Sequence, residues 1–91
     1  MVLRPDFALI SRWIPQGARV LDLGCGDGEL LSYLLTERNV SGYGLDIDEP
    51  HITACIRRGV NVIESDINEG LRDFADQSFD VVIMSHALQA L

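Results

Sequence analysis

An apolar run from Val20 to Leu23 stops at three alternating glycines, Gly24, Gly26 and Gly28, and a leucine-rich stretch begins directly after them. Four to eight apolar residues bounded by turn residues read as a buried strand. The following ELLSYLLTE places Leu30, Leu31, Leu34 and Leu35 on one broad helix face. Strand, glycine turn, helix is therefore the first unit, and the rest of the chain repeats its rhythm. Residues Ser41 to Ile47 form a second strand whose Gly42 and Gly44 leave room for close approach of backbone. Asp48, Glu49 and Pro50 start a helix with an apolar face of Ile52, Cys55 and Ile56, and Gly59 stops it. Val60 to Glu64 is a third strand. Residues 65–78 make a short helix and a turn anchored by Leu71 and Phe74, and Phe79 to Met84 a fourth strand. Ahead of all this, a helix begins at Pro5 and Asp6, repeats Phe7, Ile10 and Ile14, and ends at Pro15 and Gly17. Strands alternating with helices imply right-handed crossovers and a parallel α/β sheet.

The composition limits what such a sheet can serve. With 91 residues, 47% of them hydrophobic, the chain has the material of one small domain of modest stability. Its formal charge is −7 and all seven basic residues are arginines. Only Arg57 and Arg58 are adjacent, so no basic surface for a nucleic-acid backbone is expected. No apolar run approaches the roughly 20 residues that cross a bilayer. The first residues lack the apolar core of a signal peptide. Cys25 and Cys55 are too few for a disulfide framework, so a reducing cytoplasm is the expected location. No CxxC pair or histidine cluster suggests a metal.

The glycine turn sits at the carboxyl end of the first strand, where open parallel sheets bind ligands. Glycine there permits positive φ and close approach, and the helix start is expected to offer free N–H groups. A tight turn with no ligand is the plainer alternative. The turn departs from the dinucleotide pattern GxGxxG, since Glu29 stands at the third glycine's place. Asp27 and Glu29 would lie close to a pyrophosphate and repel it. A cationic ligand without phosphate reverses that sign, and S-adenosylmethionine, with its sulfonium and ammonium, is such a ligand. Asp46 ends the second strand about twenty residues after the turn, where a carboxylate accepts the hydroxyls of a ribose. Asp48 suits the role of helix cap better. Asp66, after the third strand, can take an adenine amino group while Ile67 packs on the ring, or it is an ordinary loop acid.

These residues resemble the class I S-adenosylmethionine-dependent methyltransferases: VLDLGCGDG for the glycine motif, YGLDID for the ribose acid, ESDI for the adenine loop and FDVVIMSHALQAL for the fourth strand. A narrower likeness, carried by RWIPQGARVLDLGCGDGELL, RGVNVIESDINEGL and the LQAL ending, is to the methionine biosynthesis protein W (MetW) family. The resemblance implies a Rossmann-like fold, with parallel strands in the order three-two-one-four, and cofactor contacts at Asp22, Gly24, Cys25, Gly26, Asp46, Ile47, Asp66, Ile67 and Ser85, with no catalytic residue assigned. It also implies methionine, hence amino-acid, biosynthesis, with homoserine O-acetyltransferase as partner enzyme. A complete domain of this class has more strands than the four readable here, so residues 1–91 are expected to be the N-terminal part of a longer domain. The fourth strand would then be an apolar edge that seeks a partner, and a homodimer through that edge is expected of these residues in isolation.

Other residues attract weaker expectations. His86 follows the fourth strand on the ligand side, but methyl transfer needs mainly proximity and orientation, and a base only for poor nucleophiles. His51 is expected to be solvated, Cys25 to be a packing residue, and Trp13 and Tyr33 to belong to core or rim. Two competing functions remain: a non-catalytic module that regulates a partner enzyme, and an NAD-dependent oxidoreductase, which Asp27 and Glu29 disfavour. The methyl acceptor is not written in these residues.

Overall fold

A computed structural model describes residues 7–74 and 79–85. The elements are α1 (Phe7–Arg12), β1 (Arg19–Leu23), α2 (Glu29–Glu37), β2 (Ser41–Asp46), α3 (Glu49–Arg57), β3 (Val62–Glu64), α4 (Ile67–Phe74) and β4 (Val81–Ile83). The four strands form one sheet in the order β3-β2-β1-β4, and every pairing is parallel. Register is tight: Val20 lies beside Gly42 and Val81, and Leu45 beside Leu23 and Ile63. Three consecutive crossovers of helix between parallel strands are what the alternating sequence demands.

The period of two along β1 sends successive side chains to opposite faces. Val20 joins Ile14, Ala18, Leu30, Leu31, Leu34, Val40, Cys55 and Val60 under α1, α2 and α3. Leu21 and Leu23 join Leu45 on the other face, where Tyr43, Ile63, Phe74 and Phe79 pack around them. Leu30, Leu31 and Leu34 of α2 are each at most 1% exposed. Burial of a leucine side chain contributes about 1.5–3 kcal/mol, so this helix face is the main adhesive of the first layer. Asp48 caps α3 by accepting the His51 N–H, and Pro50 sits in its first turn, as the sequence leads one to expect.

Several expectations are corrected. The outer strands are short: β3 starts at Val62 rather than Val60, and β4 spans Val81–Ile83 rather than Phe79 to Met84. Strand length is set by the neighbour, and β4 pairs only with Val20, Leu21 and Asp22. Phe79 instead packs on the Leu21 cluster with the Arg19 guanidinium 4.9 Å from its ring centroid. Leu71 is 46% exposed and anchors nothing. Gly70 anchors α4 instead, being buried with Leu45 and Leu23 directly against the place a side chain would fill. Trp13 is exposed, whereas Tyr33 packs on Phe7 at 5.7 Å between ring centroids. The helix start at Pro5 and Asp6, the LQAL ending and His86 lie outside the described residues.

Candidate functional site

The glycine turn links β1 to α2, and its three glycines all adopt the left-handed region, with φ of 74°, 59° and 81° at Gly24, Gly26 and Gly28. A side chain costs roughly 1–2 kcal/mol at such a φ, which is why the strand is broken so densely with glycine. Gly28 has a second reason: a Cβ there would lie 2.8 Å from Cys55 Sγ, so α3 could not approach the turn.

The turn's donors are spent inside the protein. Leu45 O accepts both the Gly24 N–H at 2.8 Å and the Cys25 N–H at 3.0 Å. The Gly26 N–H donates to Asp46 Oδ2 at 2.9 Å, the Gly28 N–H to Cys25 O at 3.1 Å, and the Glu29 N–H to Asp27 Oδ1 at 3.1 Å. Of the N–H groups expected to be free at the start of α2, that of Glu29 is thereby taken. Parallel strands bring the end of β2 beside the turn, and that end accepts from Gly24, Cys25 and Gly26, while the turn's own Cys25 O and Asp27 Oδ1 accept from Gly28 and Glu29.

Asp46 is the hub. Besides Gly26, its carboxylate takes the Asp48 N–H on Oδ1 at 2.9 Å, and His51 Nδ1 lies 3.3 Å from the same oxygen. Burial pulls this carboxyl upward, yet the N–H groups of Asp48 and Gly26 and the His51 ring outweigh it and hold it below the ordinary 3.8. It is ionised at neutral pH although only 7% exposed. His51, expected in solvent, is instead half-buried between Asp46 and Asp48, whose Oδ2 is 3.4 Å from Nδ1. A lone histidine near a helix start carries no signal of this in sequence; the contact exists because Asp48 caps α3 and turns its first residues back over the end of β2.

A cleft of about 390 Å³ opens at the carboxyl ends of the strands, lined by Gly24, Leu45, Asp46, Ile47, Ser65, Asp66, Ile67 and Asn68. Five of the residues singled out in the sequence meet there: Gly24, Asp46, Ile47, Asp66 and Ile67. Leu45, Ser65 and Asn68 went unnamed, although each adjoins a named residue. Ile47 is 67% exposed and Ile67 38%, so two accessible apolar side chains share this lining with Asp46 and Asp66. Asp66 accepts the Glu69 N–H at 2.7 Å and so starts α4, which leaves its remaining lone pairs for a ligand.

The other named residues do not line this cleft. Gly26 adjoins it through its bond to Asp46. Asp22 is fully buried and receives the Ser85 N–H at 3.0 Å and the Ser85 hydroxyl at 2.5 Å, which ties β1 to the end of β4. Cys25 turns into the core, 3.6 Å from Cys55 Sγ. Burial, with the Cys55 thiol beside it, pushes Cys25 far up, so it stays a protonated packing group. Asp27 and Glu29 are also absent from the lining: Asp27 serves its own turn and faces Arg58 at 3.6 Å.

Comparisons with known proteins agree with this geometry. A Thiobacillus denitrificans S-adenosylmethionine-dependent methyltransferase, solved in complex with S-adenosyl-L-homocysteine, superposes with a TM-score of 0.71 at 28% identity. That match covers 84% of this chain and 34% of the other. A second such methyltransferase, from Archaeoglobus fulgidus, gives a TM-score of 0.64 at 37% identity over 85% of this chain and 37% of its own. In sequence, the bifunctional methionine biosynthesis protein MetXA/MetW of Rhodopirellula baltica is 36% identical over an alignment of 99 residues, gaps included, that takes in 100% of this chain but 16% of the relative. The family described as methionine biosynthesis protein MetW matches residues 4–91. On that match, and on a parallel sheet whose glycine turn and strand-end acid share one cleft, the chain belongs to the MetW family.

Proposed function

We propose that this chain binds S-adenosylmethionine in the cleft at the ends of β1, β2 and β3, as a methyltransferase-like protein of methionine biosynthesis. One observation carries the reading: Asp46, ionised and clamped to the glycine turn, shares a cleft with Asp66 and two flanking isoleucines. The cleft volume falls within the usual range for small-molecule sites. Adenosine matches its chemistry. The ribose hydroxyls would donate to Asp46, the adenine amino group to Asp66, and the ring would lie against Ile47 and Ile67. When bound, S-adenosylmethionine supplies an activated methyl group on its sulfonium. The chain's part is to orient the adenosyl half: Gly24 allows close approach of backbone, and Asp46 fixes the sugar. Asp22 and Ser85 would act from behind, holding the ends of β1 and β4 together.

The link to methionine biosynthesis is supported by the family and by the fused MetXA/MetW relative. Fusion of two functions in one chain favours a homoserine O-acetyltransferase as partner. Among the described residues no helix is long and apolar enough to cross a membrane, and two unoxidised cysteines 3.6 Å apart suit the reducing cytoplasm.

Calorimetric titration with S-adenosylhomocysteine tests the proposal. Wild type should bind, and Asp46→Ala should lose about 1.5–3 kcal/mol of affinity, the range for hydrogen bonds to a charged group. Equal affinity in the two proteins would remove Asp46 from the site. Stimulation of the acetyltransferase by the chain, with no methyl acceptor consumed, would assign it to regulation rather than catalysis.

A further inference from the structure

Asp46 has more donors than its proposed task allows. An ionised carboxylate offers about four lone-pair sites. Three are in use: Gly26 N–H on Oδ2, Asp48 N–H on Oδ1, and His51 Nδ1 on Oδ1. A ribose that donates both hydroxyls needs two, so one present donor has to leave.

The three are not equally fixed. Gly26 and Asp48 donate from backbone at 2.9 Å, one inside the glycine turn and the other at the cap of α3. Neither leaves without remodelling the turn or the helix start. His51 donates from a side chain that is about one-third exposed, and its contact is the longest, at 3.3 Å. Its Nδ1 faces two carboxylate oxygens, Asp46 Oδ1 and, at 3.4 Å, Asp48 Oδ2. Both are acceptors only, so Nδ1 carries a proton, and a second acceptor for it already lies within reach.

The geometry points to His51 as the exchangeable donor of this site: its Nδ1–H holds one Asp46 lone pair until a cis-diol arrives, then moves wholly onto Asp48. The inference rests on the ribose role of Asp46. It makes His51 a specificity-determining residue. A ligand with two sugar hydroxyls has to displace the ring, whereas a ligand with one fits the fourth lone pair and leaves the ring in place. His51 thus narrows the preference for ribose over deoxyribose and sets the affinity of the cofactor below what Asp46 alone would give.

The test is calorimetry of the 91-residue chain with S-adenosylhomocysteine and with its 2′-deoxy analogue. In His51→Ala, S-adenosylhomocysteine should bind about threefold to tenfold more tightly, the span of one ordinary net hydrogen bond. The deoxy analogue should change less than about twofold by the same reckoning. His51→Asn, whose amide nitrogen replaces Nδ1, should return both affinities towards wild type. Should the alanine variant fail the circular-dichroism check for folding, His51→Gln, whose donor replaces Nε2, carries the same expectation as alanine. Equal or weaker binding of S-adenosylhomocysteine in the variant overturns the exchange while leaving the functional reading intact. Failure of wild type to bind it at all overturns both.

Discussion

Truncation of Asp46 to alanine should destabilise the protein as well as its site. Three donors lose their acceptor, but they do not cost the same. Asp48 and His51 lie near solvent, and water replaces the carboxylate there at little expense. The Gly26 N–H is in a buried bond, and no other acceptor is bonded to it. An orphaned buried donor costs about 1–3 kcal/mol. Loss of the attraction between a carboxylate and that N–H is part of the same figure, so about 2 kcal/mol is the central expectation. For a domain of this size each kcal/mol moves the melting temperature by about 4–8 °C, which gives a fall of roughly 8–16 °C. Thermal melting followed by circular dichroism at neutral pH measures it. The pH dependence supplies the sharper arm. The folded carboxyl titrates below its ordinary 3.8. Its stabilisation is therefore complete above that value and is lost as pH falls through the folded one. The gap between wild type and Asp46→Ala should be open at neutral pH and narrow as pH falls below about 4. Melting temperatures within 2 °C at pH 7, or a gap that persists undiminished in acid, would refute the view that this carboxylate holds the turn.

The remaining expectations concern the frame around the site. Asp22→Ala leaves the Ser85 N–H and hydroxyl without their shared acceptor at the junction of β1 and β4, and urea unfolding should show a loss of about 2–3 kcal/mol. A loss under about 0.5 kcal/mol would show that the junction is held otherwise. In Gly70→Ala, the helix-propensity gain of about 1 kcal/mol opposes overpacking of about 1–3 kcal/mol against Leu45 and Leu23. A net loss in melting temperature is expected, and a rise would mean that α4 does not seat there. Because, among the described residues, β4 is bonded on one side only, by β1, and leaves Val82 and Met84 exposed, copies of the chain should associate at high concentration. Sedimentation of wild type against Val82→Lys checks this, with identical monomeric profiles as the contrary result.

Much of this architecture was legible because the local signals agreed with one another. Val20 to Leu23, Gly24 to Gly28 and the leucines of α2 each pointed to the same strand–turn–helix unit, and Asp48 with Pro50 announced α3. The parallel pairing followed from the alternation of strands and helices, and the strand order from the family resemblance. What sequence could not show was set by partners distant along the chain. The length of β4 depends on how much of β1 lies beside it. The seating of α4 depends on a glycine, which has no hydrophobic signature, rather than on Leu71. In the site, the aspartates and isoleucines were recognisable by position, but the destination of each N–H was not. Cys25 and Ser85 stand in the right motifs and still face the core and Asp22.

The Leu45 carbonyl, which receives two successive N–H groups of the glycine turn, has a consequence for the thermodynamics of recognition. A glycine-rich loop is the part of a chain with the most freedom to lose, and ordering one on encounter with a ligand consumes affinity. Here the freedom of Gly24 and Cys25 is already surrendered to the neighbouring strand during folding. A nucleoside bound as proposed would meet a surface whose shape is settled beforehand, and its association should show little of the entropy penalty or heat-capacity change that marks coupled folding.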